Sequence, residues 1–148
     1  RLDYSKMVKG RHPIAAYEFL GPKLEGKDVI LIDDMISSGK SILEIASLLK
    51  KRGAGKIFIC TTFGLFTEGM EKFDEAYQNG IFDKLLTTNL VYQTPELLSK
   101  PYYITCDMSK YIALIIDTLN HDMSVSHLLN PADRIKRCVS NYMAQYEK

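Results

Sequence analysis

The sequence contains no tryptophan, only three cysteines among 148 residues, and almost no excess of either charge, with a formal net charge of +1. A net charge this small gives no general attraction to nucleic acid or to an anionic membrane. The longest apolar runs, residues 29–32 and 111–116, fall far below the roughly 18–20 residues that a membrane span needs. We therefore expect neither nucleic acid nor a membrane among its partners.

The three cysteines lie far apart, at Cys60, Cys106 and Cys138, and have no Cys-x-x-Cys spacing. Two of them fall in predicted strands or at strand ends, which favours buried, reduced thiols over a disulfide framework. Reduced thiols indicate a cytoplasmic protein. The three histidines also lack the spacing of a metal site.

Strand-like and helix-like segments alternate along the chain. The continuous apolar run at residues 29–32 predicts a strand covered on both faces, and residues 39–52 have helical periodicity that Gly53 ends. The other predicted elements are strands at 56–62, 82–87 and 102–105 and helices at 13–20, 68–79, 108–119 and 131–146. This alternation predicts an α/β fold with a mostly parallel sheet flanked by helices on both faces.

The segment DVILIDDMISSGKS, residues 28–41, carries the most chemistry. A strand runs into adjacent carboxylates, and a Ser/Gly turn then opens a helix. The first N–H groups of a helix attract anions, and a glycine lets an anion approach the backbone closely. The residues predicted to hold a phosphate are Ser37, Ser38, Gly39, Lys40 and Ser41.

The two carboxylates, Asp33 and Asp34, are expected to act differently, because they repel phosphate. They suit the vicinal hydroxyls of a sugar, or Mg²⁺ held directly or through water. The alternative is that the pair only ends a strand and Ser38 only caps a helix. A Walker A motif is excluded, since it needs a glycine five residues before Gly39, where Asp34 stands.

Four motifs in order resemble the ribose-phosphate pyrophosphokinases, also called phosphoribosyl pyrophosphate synthetases. ILIDDMISSGKS at residues 30–41 resembles the phosphoribosyl-pyrophosphate loop of the type I phosphoribosyltransferase fold. The other three are TTFGLF at 61–66, TTN at 87–89 and SVSHLL at 124–129. The resemblance implies that residues 13–130 form part of that family's C-terminal, phosphoribosyltransferase-like domain.

The reaction implied by this resemblance transfers the diphosphoryl group of Mg-ATP to ribose 5-phosphate, giving 5-phosphoribosyl 1-pyrophosphate and AMP. It implies that Asp33 and Asp34 contact the ribose hydroxyls and Mg²⁺, while residues 37–41 hold the 5-phosphate. Arg1 falls near a flexible loop whose basic residues stabilise the transferring groups, and is the candidate catalytic residue. Ser124 and Ser126 resemble a regulatory site at a subunit interface, which also implies a homo-oligomer.

The chain begins with Arg1 rather than Met, which suggests a piece of a longer polypeptide. The resemblance implies that this piece is inactive alone, because the adenine site and the flexible-loop lysine would lie upstream. Residues 1–12 would be a remnant of the flexible catalytic loop, and residues 131–148 a helical extension. Two alternatives stay open. One is a phosphoribosyltransferase that joins phosphoribosyl pyrophosphate to a base. The other is a non-catalytic regulatory homologue, which fits Ser37 and Lys40 standing where many family members carry an acid and a small residue.

Overall fold

The computed structural model describes residues 19–146, apart from the side chain of His127. The chain divides into two compact units, Arg1–Cys106 and Asp107–Lys148. The first contains β1 (Val29–Ile36), α1 (Lys40–Lys51), β2 (Ile57–Gly64), α2 (Glu71–Gln78), β3 (Lys84–Thr88), α3 (Pro95–Leu98) and β4 (Tyr103–Cys106). The second contains α4 (Ser109–Asn120), α5 (Ser126–Leu129) and α6 (Ala132–Tyr146).

The four strands form one parallel sheet in the order β1-β2-β3-β4, which confirms the predicted α/β class. Their register aligns Asp33 with Thr61, Thr61 with Thr87, and Thr87 with Thr105. Open parallel sheets bind ligands at the carboxyl ends of their strands. This row of an acid and three threonines therefore marks the edge at which a ligand is expected.

The core of the first unit lies on one face of the sheet. Ile59 and Leu85 are fully buried there, beside Ala46 of α1 and Phe73 of α2. α1 buries Ile42, Leu43, Ala46 and Leu49. That spacing is the helical periodicity that predicted α1 from sequence. Burial of this stripe fixes where α1 begins relative to the end of β1.

The helices of the first unit cover one face of β1 within the residues that the structure describes. On the other face Ile30 is 63% exposed and Ile32 is 82% exposed. Successive residues of a strand point to opposite faces of the sheet. Leu31 pairs with Ile59, and Ile59 pairs with Leu85 on the next strand. The helices α1, α2 and α3 all contribute to the core that contains Ile59 and Leu85. An apolar run therefore did not distinguish one covered face from two.

Several element boundaries differ from the predicted ones. β1 continues four residues beyond the apolar run, and α2 starts at Glu71, after a turn in which Gly69 has a φ of +78°. The short helices α3 and α5 were not predicted. The Thr94 hydroxyl accepts a hydrogen bond from the N–H of Leu97 at 3.2 Å, and Pro95 occupies the first turn of α3.

The helix predicted at residues 13–20 lies mostly outside the described residues. Between residues 19 and 146, no helix is both long enough and apolar enough to cross a membrane.

Candidate functional site

The turn between β1 and α1 is built around Gly39. Its φ is +78°, in the left-handed region that disfavours side chains. A Cβ atom at this position would lie 2.3 Å from the ring of Phe73, which is fully buried. Backbone conformation and packing therefore both require glycine here. The main chain of the turn therefore packs directly against the ring of Phe73.

The amino end of α1 is open toward this turn. Gly39 supplies no side-chain cap, and the first turn of α1 contains no acidic residue. The first N–H groups of a helix lack intrahelical partners and carry its positive dipole end. The Ser38 hydroxyl lies 3.5 Å from the N–H of Lys40, while Ser41 is exposed. These groups together form a donor-rich surface suited to an anion.

A small cavity of about 180 Å³ joins this donor-rich surface to one carboxylate. Its lining consists of Asp33 together with Met35 and residues 36–42. The sequence-predicted phosphate residues 37–41 and Asp33 therefore meet in one place. Lys40 also borders a larger groove of about 600 Å³ between α1 and α2.

The two aspartates occupy different positions. Asp33 lines the cavity, and one of its oxygens accepts a hydrogen bond from the N–H of Asp34 at 2.9 Å. Asp34 is not among the lining residues, and its carbonyl accepts a hydrogen bond from the Thr61 hydroxyl at 3.3 Å. Both side chains are exposed. Neighbouring residues of a strand face opposite sides, which explains why only one acid enters the cavity.

The acids do not form a complete protein metal site. Among the described residues, no group of three or more His, Cys, Asp or Glu side chains is placed to hold an ion. A cation here would need oxygen ligands from water and from a bound ligand. Mg²⁺ fits that requirement, because it keeps several waters and binds through one or two carboxylates plus substrate phosphates.

A second loop, which includes the end of the TTFGLF motif at residues 61–66, braces the turn. The N–H of Leu65 donates to the carbonyl of Ile36 at 2.8 Å, and the N–H of Thr67 donates to the carbonyl of Ser37 at 3.0 Å. The hydroxyls of Ser37 and Thr67 lie 3.3 Å apart. Ser37 is therefore held from both its main chain and its side chain by the segment that follows β2.

Phe66 sits at the centre of this brace with a φ of +46°, unusual for a residue with a side chain. Its ring meets Phe73 edge-on with centroids 5.3 Å apart. A Cβ at Gly64 would lie 2.5 Å from the Phe66 ring. Phe66 and Phe73 thus form an aromatic floor beneath Gly39. No local sequence pattern marks these contacts, since they join β2, α2 and the turn.

A polar network closes the same edge at β3 and β4. The Gln93 amide donates to the Tyr103 hydroxyl at 2.6 Å, and the Thr105 hydroxyl donates to the Gln93 oxygen at 3.1 Å. Thr87 and Tyr103 share a further hydrogen bond. Burial raises the pKa of Tyr103, and these hydrogen bonds oppose that rise only partly. The network holds the carboxyl ends of both strands in fixed positions.

The cysteines are all free. Cys60 and Cys106 are half-buried, whereas Cys138 is exposed. Burial, and to a lesser degree the neighbouring Cys106, raises the pKa of the Cys60 thiol. A raised pKa favours the protonated thiol over the reactive thiolate.

The remaining predicted site residues that the structure describes do not line this cavity. Arg1 is outside the described residues. Ser124 and Ser126 belong to the second unit, where their hydroxyls lie 2.9 Å apart in the turn that opens α5. The Ser124 oxygen also accepts the N–H of Ser126 at 3.3 Å. This is a local turn that helps to begin a short helix.

A parallel sheet whose first strand carries two acids into a Ser/Gly turn defines an α/β protein of the phosphoribosyltransferase-like fold. Residues 6–130 match the model of the phosphoribosyl synthetase-associated domain. The chain belongs to this family.

Curated relatives agree with this assignment. A ribose-phosphate pyrophosphokinase of Vibrio parahaemolyticus is 26% identical over 107 residues, covering 72% of this chain and 33% of that protein. One of Thermococcus kodakarensis is 36% identical over 93 residues, covering 61% of this chain and 31% of that protein. The chain thus spans about a third of the length of the curated relatives it matches.

The solved structures show the same fold. The crystal structure of phosphoribosylpyrophosphate synthetase from Mycobacterium smegmatis aligns with a TM-score of 0.60 at 22% identity. The alignment covers 69% of this chain and 33% of that one. At this identity the likeness establishes architecture.

Proposed function

We propose that this chain is the ribose 5-phosphate-binding part of a ribose-phosphate diphosphokinase. The complete reaction would transfer the diphosphoryl group of ATP to ribose 5-phosphate, giving 5-phosphoribosyl 1-pyrophosphate and AMP for nucleotide biosynthesis in the cytoplasm. The observation that carries the proposal is the shared cavity of Asp33 and the turn at residues 37–39. The Asp33 carboxylate can accept hydrogen bonds from sugar hydroxyls, and the turn beside it can bind a phosphate. These are the two ends of a pentose phosphate.

The phosphate end would bind to the turn and to the start of α1. Main-chain N–H groups of residues 39–41 would donate to the phosphate oxygens, with the hydroxyls of Ser37, Ser38 and Ser41 beside them. Lys40, exposed at the cavity lining, would add a positive charge. The brace from Thr67 and Phe66 would keep these donors in place before the ligand arrives.

The sugar end would bind to the acids. Asp33 would accept hydrogen bonds from the ribose hydroxyls, with Asp34 beside it on β1. The same carboxylates suit Mg²⁺, held directly or through water, and this ion would neutralise charge on the transferring diphosphoryl group. Because the protein supplies few ligands of its own, we expect the ion and the sugar phosphate to bind together.

Other residues would have separate roles. Arg1 is proposed to stabilise the transferring phosphoryl groups, and Ser124 and Ser126 to line a regulatory phosphate or ADP site in a homo-oligomer. We expect the isolated chain to bind ribose 5-phosphate without converting ATP to AMP, since it spans only about a third of the length of a relative named for this reaction.

Calorimetric titration tests this proposal with five ligands in the presence of Mg²⁺: ribose 5-phosphate, inorganic phosphate, ribose, phosphoribosyl pyrophosphate and ADP. We expect Asp33→Asn to weaken ribose 5-phosphate by about 10- to 100-fold, the usual value of a hydrogen bond to a charged group. Binding of inorganic phosphate should not weaken, because a repelling charge has been removed. Glu25→Gln, an equal change at an exposed acid before β1, should alter neither.

The pattern across ligands separates the alternatives. Tight binding of phosphoribosyl pyrophosphate with no binding of ribose 5-phosphate would instead indicate a phosphoribosyltransferase. If no sugar phosphate binds while a nucleotide does, the regulatory homologue is favoured. Equal weakening of inorganic phosphate and ribose 5-phosphate by Asp33→Asn would mean that this acid supports the fold rather than the sugar.

A further inference from the structure

The helix α6 presents a row of apolar side chains to solvent. None of its fifteen residues is buried. Ile135, Val139, Tyr142 and Tyr146 are 56%, 54%, 59% and 69% exposed. Their spacing of four, three and four residues places them along one line of the helix. We call these four residues the α6 seam.

The seam is open although α6 is attached to the rest of its unit. The Arg134 guanidinium lies 5.0 Å from the centre of the Tyr111 ring, and it donates a hydrogen bond to the carbonyl of Leu128 at 2.6 Å. Adjacent helix residues are about 100° apart around the axis, so Arg134 lies well away from Ile135. The attachment therefore fixes α6 while leaving its seam uncovered.

The seam also lies outside the residues that define the family. The family match ends at residue 130, and α6 begins at Ala132. The proposed binding of ribose 5-phosphate therefore gives α6 no role. A large apolar row with no partner usually marks a surface where another molecule binds.

We propose that the α6 seam pairs with the α6 seam of a second copy of this chain, with the two helices antiparallel. The four-three-four spacing is the narrow heptad pattern by which one helix packs against another. A helix that lies on a membrane usually has cations along the length of its polar face. Here the cations occupy only one end.

Charge on α6 favours the antiparallel arrangement. All of its charged residues, Asp133, Arg134, Lys136 and Arg137, lie in the first half, and residues 138–146 carry none. A parallel pair would place two basic segments side by side. An antiparallel pair sets each basic segment beside an uncharged one and also opposes the two helix dipoles.

The sizes of the seam residues lead to the same arrangement. The two aliphatic residues come first and the two tyrosines last, with the tyrosine ring centroids 4.5 Å apart. In an antiparallel pair Tyr142 can face Val139, and Tyr146 can face Ile135, of the second copy. Large side chains then meet small ones in every layer, which allows close packing. A parallel pair would place tyrosine against tyrosine.

Sedimentation velocity of the full 148-residue chain over a wide concentration range tests the proposal. With only two heptads of contact, we expect reversible dimerisation that strengthens with concentration. Val139→Asp should weaken it by more than about tenfold, because an unpaired charge would be buried. The matched control is Ser140→Asp, which adds the same charge one residue away on the polar side and should leave dimerisation unchanged.

Three results would overturn the proposal. The first is that the chain stays monomeric at every concentration. The second is that Val139→Asp dimerises as strongly as the unchanged chain, as it would if exposed Ile30 and Ile32 formed the contact. The third is that the seam binds vesicles of phosphatidylserine and phosphatidylcholine instead of a second copy. Circular dichroism of both variants shows whether α6 remains helical.

Cross-linking tests the orientation. In a Cys138→Ser background, protein carrying Ile135→Cys is mixed with protein carrying Tyr146→Cys and oxidised mildly. We expect disulfides between positions 135 and 146 of different copies, identified by peptide mapping so that Cys60 and Cys106 do not confuse the result. Cross-links joining 146 to 146 would contradict the antiparallel arrangement.

Discussion

Substitution of Gly39 by alanine tests whether the turn is shaped by the aromatic floor beneath it. A residue with a side chain costs about 1–2 kcal/mol in the left-handed conformation, and Gly39 has a φ of +78°. The new Cβ would also lie 2.3 Å from the buried Phe73 ring. Overpacking of this kind typically costs about 1–3 kcal/mol. We therefore expect Gly39→Ala to lower the free energy of unfolding by roughly 2–5 kcal/mol.

The two contributions can be separated with a second substitution. Phe73→Leu shortens the side chain under Gly39 and should be destabilising alone, because it leaves a cavity in the core. In the double variant the steric contribution of Gly39→Ala should largely disappear, while the cost of the backbone conformation should remain. The double variant should therefore be about 1–3 kcal/mol more stable than the sum of the single effects predicts.

Urea unfolding followed by far-UV circular dichroism provides the free energies, since the chain has no tryptophan to report its folding. Hydrogen exchange at the amides of β2 assigns the loss to the first unit rather than to the helices that follow it. Strict additivity of the two substitutions would refute the packing contribution. A cost below about 0.5 kcal/mol for Gly39→Ala would refute both contributions, because surface changes commonly stay within that range.

The brace and the polar contacts of α2 predict the effects of two substitutions and of two changes in pH. Thr67→Val removes the hydroxyl beside Ser37 and should weaken ribose 5-phosphate a few-fold in calorimetry, with a stability loss of about 1 kcal/mol or less; an unchanged affinity would show that the brace does not position the turn. Tyr102→Phe removes the hydrogen bond that the hydroxyl donates to Asp74 at 2.7 Å and should cost about 1.5–3 kcal/mol in urea unfolding. Burial alone would raise the pKa of Asp74, but hydrogen bonds from Lys100 and Tyr102 lower it below its usual value, so its stabilisation exists above that usual value and is lost as pH falls through the acid range. Burial, and then the hydrogen bond to Asp74, raises the pKa of Tyr102. The stabilisation from Tyr102 is therefore complete below its ordinary pKa and is lost as pH rises beyond it. If the free energy of unfolding of Tyr102→Phe falls at high pH as much as that of the unchanged chain, this assignment is contradicted.

The parts of the site that depend on local sequence could be predicted. The acid pair after an apolar run, and the glycine before a helix with apolar side chains at regular spacing, identify the turn without any distant contact. Asp33 and residues 37–41 do line one cavity. The difference between Asp33 and Asp34 was not predicted, because β1 continues past both acids and only one of two neighbouring side chains can face the cavity.

The parts that depend on contacts between elements could not be predicted. Phe66 adopts its φ of +46° against Phe73, a residue of a different element, and no spacing in the sequence relates the two. The helices α3 and α5 have four residues each, too few to show a helical period. The exposure of Ile30 and Ile32 depends in the same way on which elements pack against β1, and an apolar run does not specify them.

A crystal structure of the chain with ribose 5-phosphate and Mg²⁺ is the measurement that tests the proposed site most directly. We expect the phosphate against the turn at residues 37–41, the ribose hydroxyls within hydrogen-bond distance of Asp33, and the ion coordinated by the ligand, water and carboxylate. A sugar phosphate bound elsewhere on the chain, or bound with its phosphate away from the amino end of α1, would contradict the proposed function.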